Sequence, residues 1–272
     1  MNTAPLSRAD VLTILAQGNT GLDGQNLTGC DLTCLDLSGV SMRGVRLSGA
    51  DMRGTNLGYA DLCGADLSAA NLRMARMSHT RLVGANLADA DLFLANLEGA
   101  DARGASFHRA ALRECVLSDA TLWGADFRQI DGQLAVLDGA DLRGAIFQGA
   151  TLTEAQMGGA DLKMADLSGA DLGAVDFTHA DLRRAHLDDA QLAGADLTDA
   201  LLAGASLRHA DLRGAVLQGA ELGGADISGA CFQSGQIMAV QAGSLFLTAP
   251  LGALPAGMRP VELPRRHVVA TA

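Results

Sequence analysis

The chain has 272 residues, of which 33 are glycine and only one each tryptophan and tyrosine, and its formal net charge is −11 at pH 7. So little aromatic mass excludes a core of mixed large side chains, and no run of about 18 apolar residues offers a membrane-spanning helix. An acidic chain without a basic, aromatic-interleaved stretch is not expected to bind nucleic acid directly.

Residues 1–19 read as an N-terminal capping helix. Ser7 precedes Asp10 by three, the spacing of a capping box; Val11, Leu12 and Leu15 share a face, and Gly18 ends the helix. Asp10 and Thr13 interrupt the apolar run that a secretion signal needs, so the expected compartment is the cytoplasm. Cys30, Cys34, Cys63, Cys115 and Cys231 are odd in number, scattered and without a CxxC pair. That pattern favours free thiols in a reducing compartment over a zinc site.

Residues 20–240 repeat every five. Leu22, Leu27, Leu32, Leu37, Met42, Leu47 and Met52 begin a series that keeps one register to Ile237. A small residue, usually Ala, stands two places before each, and Asp or Asn stands between, giving Ala-(Asp/Asn)-Leu-x-x. A helix would rotate this stripe by about 140° per repeat, and a flat strand would swap faces each time. A coil that turns a corner once per pentad keeps Leu and Ala inside, and four pentads close a square turn that stacks on the next. Gly44, Gly49, Gly54 and Gly64 fall at corners that need positive φ. Phe107, Phe127 and Phe147, 20 residues apart, then form one inward column between Leu67 and Leu87 on one side and Leu167 and Leu187 on the other.

These residues resemble the pentapeptide-repeat family. The resemblance implies an all-β fold, a right-handed quadrilateral β-helix (solenoid) of about 11 coils, roughly 53 Å long at a β-type spacing per coil. One interruption stands out: in "FRQIDGQLAV", Gly132 replaces a core Leu. Ile130 in an Ala slot is expected to refill the hole, with Leu134 rotating inward, so the segment should be a distorted rung and candidate bend, not a protruding loop. Residues 241–272 lose the repeat and read as a C-terminal cap with a mobile, Pro-containing tail; the apolar stretch 244–254 is a candidate homodimer contact.

Charge is unevenly spread over the four sides. The side that starts with pentads 20, 40 and 60 (first face) has seven acids and seven bases, the second seven and four, and the third eight and four. The fourth, starting at 35, 55 and 75, has seven acids (Asp36, Glu98, Asp119, Asp138, Asp176, Asp196, Asp199) and one base, Arg76. Short acids bonding corner backbone explain part of this, and Asp-(Leu/Met)-Arg triplets such as Asp51–Arg53, Asp141–Arg143, Asp181–Arg183 and Asp211–Arg213 cancel charge locally. A second candidate is an outward apolar patch, Met74, Phe93 and Leu94, flanked by Arg73 and Arg113. Val116 and Val136 stack on the fourth face and Trp123 projects from the first.

Six histidines sit on different rungs without HExxH, a nucleophile elbow or a triad spacing, so no catalytic, cofactor or metal site is expected. The expected role is a non-enzymatic protein-interaction or scaffold module with an unknown protein partner. The resemblance implies an alternative, because some family members mimic duplex DNA, bind DNA gyrase or topoisomerase IV, and alter sensitivity to quinolones or toxins. This chain shares their rod and acidity but lacks inserted loops and a clear C-terminal pairing helix.

Overall fold

The computed structural model describes residues 4–17 and 21–233. Helix α1 (Arg8–Ala16) is capped by Ser7, whose side chain accepts from the Asp10 N–H while the Asp10 carboxylate accepts from the Ser7 N–H. That reciprocal pair satisfies two of the donors a helix start leaves open. Val11 is fully buried and Ile14 and Leu15 are half-buried, whereas Leu12 is 46% exposed. The expected face of Val11, Leu12 and Leu15 is therefore corrected to Val11, Ile14 and Leu15. These occupy i, i+3 and i+4, and Leu12 lies about 100° round from Val11. The helix ends at Ala16, with Gln17 as its C-cap; Gly18 lies outside the described residues. It is tied to the rod by the Leu6 N–H on the Asn26 carbonyl at 2.8 Å and by Arg8 on the Thr33 carbonyl at 3.0 Å.

From Gly21 to Cys231 the backbone repeats one unit. Every bridge is parallel and joins residue i to residue i+20, from Gly21↔Ser41 to Asp211↔Cys231, so four pentads make one coil. The bridges are isolated single residues, and among the described residues no run is long enough to be a strand. The expected β-type stacking is present, but the sides of the coil are shorter than strands. The physical reason is that a corner follows each bridge residue within two positions.

The unit closes its own hydrogen-bond account. In one pentad, the Asp51 N–H donates to the Cys30 carbonyl at 3.0 Å, Met52 to Asn71 at 2.7 Å and Gly54 to Arg73 at 3.0 Å. The Thr55 N–H closes the corner onto the Met52 carbonyl at 3.1 Å, and the Arg53 N–H donates to Asp51 Oδ1 at 3.3 Å. All five donors are thus used, which is what a buried backbone requires. The same short-acid acceptor recurs at Thr33 on Asp31, Ser38 on Asp36 and Thr178 on Asp176. The Asp/Asn position of the repeat is therefore a corner device before it is a surface charge.

Each corner carries a positive φ at its second residue. Among the described residues, 22 glycines and 20 other residues take φ between +53° and +74° there. With the i to i+3 bond this is the sign pattern of a type II turn, a conformation that costs a non-glycine residue about 1 kcal/mol.

Inside, the Leu and Ala series is continuous and almost wholly buried from Leu22 to Ala225. The phenylalanine column stacks as expected: Phe107 on Phe127 and Phe127 on Phe147, each at 4.8 Å between ring centroids and with planes 7° and 5° apart. Two polar residues fit in the small-residue slot. Thr55 and Thr80 are fully buried and donate their hydroxyls to the Leu32 and Leu57 carbonyls at 2.8 Å.

At Gly132 no loop leaves the rod: Asp131 bridges both Ala111 and Thr151, and the Gly132 N–H reaches the Thr151 carbonyl at 2.7 Å. The gap is filled by Ile130, 3% exposed, and by Leu152; a Cβ on Gly132 would lie 3.2 Å from Ile130 Cδ1 and 2.9 Å from Leu152 Cδ2. Leu134 does not rotate inward, as was expected; it is 43% exposed. It occupies the positive-φ corner position, at φ +60°, where the side chain projects off the coil. The rung is strained at a corner bond of 3.4 Å from the Ile130 N–H to the Phe127 carbonyl, and the buried Asp131 Oδ1 accepts no hydrogen bond among the described residues. The candidate dimer contact at 244–254 and the tail lie outside the described residues.

Candidate functional site

The fourth face is built by the 20-residue register, which places Asp36, Asp176 and Asp196 at bridge positions and Asp119 and Asp199 at corners. Glu98 and Asp138 take the position between, after the buried Leu97 and Leu137. Several of these acids serve the backbone. Asp36 Oδ1 accepts from the Ser38 N–H and hydroxyl and from Asn56 Nδ2. Those bonds, the Ser38 hydroxyl foremost, hold its carboxyl below the usual range. Asp138 accepts from the Gly158 N–H at 2.8 Å and Asp196 from the Thr198 N–H at 2.9 Å.

What these acids lack is a cation. Among the described residues, none of the seven has a Lys or Arg nitrogen within 4.0 Å, and their one ion-pair contact is His179 Nδ1 to Asp199 at 3.9 Å. The other faces differ. Arg53, Arg143, Arg183 and Arg213 close on Asp51, Asp141, Asp181 and Asp211 at 2.6 to 2.7 Å, as the triplets foretold. Arg109–Asp89, Arg128–Asp126 and Arg208–Asp188 add pairs on the second face. The fourth face thus presents a carboxylate field that nothing on the chain neutralises at contact distance.

The apolar patch lies at the corner between the third and fourth faces. Met74 and Leu94, 56% and 43% exposed, occupy the same corner position on successive coils. Phe93 is half-buried under the Arg73 guanidinium, 4.4 Å from its ring centroid, which removes much of it from the candidate contact. Arg113 borders Leu94, whose N–H donates to the Arg113 carbonyl at 3.2 Å. Leu134 joins the same column two coils further on, and the half-buried Val116 and Val136 pair beside it on the fourth face.

Two features escaped the sequence reading, the Tyr59–His79 stack and the depression beside Trp123, whose outward projection was expected. Tyr59 and His79 stack outside the rod, with ring centroids 5.0 Å apart and planes inclined by 25°. Their 20-residue spacing was the available signal, the same one that revealed the phenylalanines. Trp123 is 57% exposed and, with Val83, Arg103, Gly104 and Gly124, borders a depression of about 420 Å³ on the first face.

All five cysteines are free thiols, and complete burial pushes the Cys115 thiol up, which leaves it inert. Among the described residues no three His, Cys, Asp or Glu side chains converge as a metal site would need, and no helix is long and apolar enough to cross a membrane.

No curated protein matches the chain. Solved structures do. HetL, a pentapeptide repeat protein involved in heterocyst differentiation regulation from the cyanobacterium Nostoc sp. strain PCC 7120, is 35% identical, with 85% of this chain and 98% of HetL aligned at a TM-score of 0.51. QnrB1, a plasmid-mediated fluoroquinolone resistance protein, is 21% identical over 80% of this chain and 91% of its own, at a TM-score of 0.41. The family model described as pentapeptide repeats matches in overlapping segments from residues 22–58 to 195–233. With the 20-residue register, the filled core and this match in agreement, the chain belongs to the pentapeptide-repeat family.

Proposed function

We propose that the chain is a right-handed rod of about 11 coils that acts without catalysis, as a cytoplasmic protein-interaction or scaffold module. The observation that carries this reading is the fourth face: seven carboxylates with no Lys or Arg at contact distance, beside an exposed apolar corner of Met74 and Leu94. The five unbridged thiols support the compartment.

The field favours a partner with a basic surface, and this is where the alternative enters. A DNA-mimic rod would place the fourth face in the DNA-binding saddle of a type II topoisomerase, DNA gyrase or topoisomerase IV. Supercoiling by purified gyrase, followed across salt concentrations, tests it. Inhibition at micromolar protein and low salt that is lost in the Asp176→Lys/Asp196→Lys/Asp199→Lys variant supports the mimic. No inhibition removes the mimic and leaves the scaffold reading. Inhibition that survives charge reversal shows the acidic face to be incidental.

A further inference from the structure

At the end of the fourth face nearer α1, a trough of about 560 Å³ is formed by groups of which only Ser38 and Asn56 serve the carboxylate field, through their bonds to Asp36. Ser38 and Ser78 stand at its two ends, Asn56 and Arg76 on one side, Tyr59 and His79 on the other, and Gly58 between them. Gly58 is not in the left-handed region, and a Cβ there would meet nothing closer than Asn56 Oδ1 at 3.4 Å. Neither backbone conformation nor crowding therefore requires a bare position, and a side chain here would fill the trough.

Two of the lining groups have spare capacity. Tyr59 is 70% exposed; His79 covers one side of its ring, and the corner residue of the preceding coil is Gly39, which has no side chain to cover the other. Arg76 is the one cation of the fourth face, and among the described residues no carboxylate oxygen lies within 4.0 Å of its guanidinium. A ring face and a guanidinium fork beside one trough fit a planar ring joined to an anion. Arg76 disfavours a cationic ligand. The trough is too open to enclose a small molecule, which would need most of its surface covered.

We infer that this trough is an anchor point for a partner protein's aromatic side chain next to an acidic residue, the ring stacking on Tyr59 and the carboxylate pairing with Arg76. This rests on the reading of the chain as an interaction module. Tyr and Arg are among the residue types enriched at the hot spots of protein interfaces.

Tyr59 is the only tyrosine and Trp123 the only tryptophan, so ring-labelled protein gives one NMR signal from the trough and one control from the first face. The probes are short acetylated, amidated peptides containing Asp-Phe, Lys-Phe or Asp-Leu. Asp-Phe should shift the Tyr59 signal and leave Trp123 in place, with a dissociation constant of about 1 mM, and the other two should bind at least about fivefold more weakly. Gly58→Gln should abolish the shift, and Arg76→Gln should make the Asp-Phe and Lys-Phe peptides equivalent; an unchanged Trp123 signal confirms that each variant is folded. Equal movement of Trp123, equal binding of Lys-Phe to the unmodified chain, or an undiminished shift in a folded Gly58→Gln would each overturn the inference. A silent Tyr59 would also overturn it, while the loss of partner binding on charge reversal at Asp176, Asp196 and Asp199 would still uphold the interaction module by itself.

Discussion

The first and fourth faces rest on the same leucine and alanine core and use the same acidic corner device, yet they handle charge in opposite ways. On the first face Asp141, Arg143, Asp161, Lys163, Asp181 and Arg183 form a continuous ladder, with contacts of 2.6, 4.0, 2.8, 2.9 and 2.7 Å in that order. On the fourth, Asp176 and Asp196 hold the Thr178 and Thr198 N–H groups in the same way, but no cation follows. The difference sits in the residue after the inward side chain. Following an Asp at the bridge position, it is a cation at Arg103, Arg143, Lys163 and Arg183 on one face and a hydroxyl residue at Ser38, Thr178 and Thr198 on the other. The acid is set by the backbone, and the next surface position decides whether its charge reaches solvent.

Removing one acid from each face should break this symmetry most strongly. Asp181→Ala loses charge-assisted bonds to Arg183 and Lys163 as well as the corner acceptor, and should cost about 3 kcal/mol in denaturant unfolding. Asp176→Ala loses the corner acceptor alone and should cost about 1 kcal/mol. Equal costs would show that the ladder adds nothing to the corner bond.

Acid titration should separate the faces next. Partial burial pushes the Asp181 carboxyl up, but bonds from Arg183 and Lys163 outweigh it and bring it down to about 2. Because the folded value is depressed, this stabilisation is complete above the unfolded carboxylate range near pH 4 and is lost as pH falls through about 2. It amounts to about 2 kcal/mol. Asp181→Asn should flatten that part of the stability profile; a profile unchanged between about pH 4 and 2 would remove the ladder as its source.

A transplant should sharpen the comparison with a smaller effect. Thr178→Arg and Thr198→Arg place guanidiniums two residues after Asp176 and Asp196, reproducing the first-face arrangement. Stability should rise by about 0.5 kcal/mol per pair at low salt, with the gain fading at high salt. Binding of a basic partner should weaken in parallel. An increase that persists in high salt would mean that packing, not charge, was changed.

The last effect concerns the apolar corner between the third and fourth faces. Leu134→Gly relieves a positive φ of +60° but loosens the unfolded chain, so unfolding should shift by at most about 1 kcal/mol, towards greater stability. A loss of more than that would show that Leu134, although exposed, packs against the rod.

Much of the rod was legible because its registry is written in the chain at a fixed interval. The inward leucines, the phenylalanine column and the Asp-Leu-Arg pairs depend only on that interval and on hydrogen-bond demand. What was missed depends on direction. Leu12 was placed on the buried stripe by its apolarity, but its angle around α1 turns it outward. Leu134 was expected to fill the hole at Gly132 because it is large and near. A positive-φ corner aims its side chain outward whatever its chemistry, and Ile130 and Leu152 fill the space instead. The carboxylates of the fourth face were legible as a count, but their freedom from cations needed the distances. The Tyr59–His79 stack was hidden because neither residue belongs to the inward series.

The hydrogen-bond account that a pentad with Asp or Asn at its bridge position closes has a consequence for how such a chain can change length. Every bridge connects residues 20 apart, so gaining or losing four pentads changes the rod by one coil and leaves every side facing as before. A single inserted pentad would satisfy its own five donors equally well, yet it would rotate everything beyond it by a quarter turn. Placed at residue 100, it would break the line of fourth-face acids in two, with Asp36 and Glu98 on one side and Asp119 through Asp199 on the next. The backbone tolerates growth in fives; the surface pattern tolerates it only in twenties.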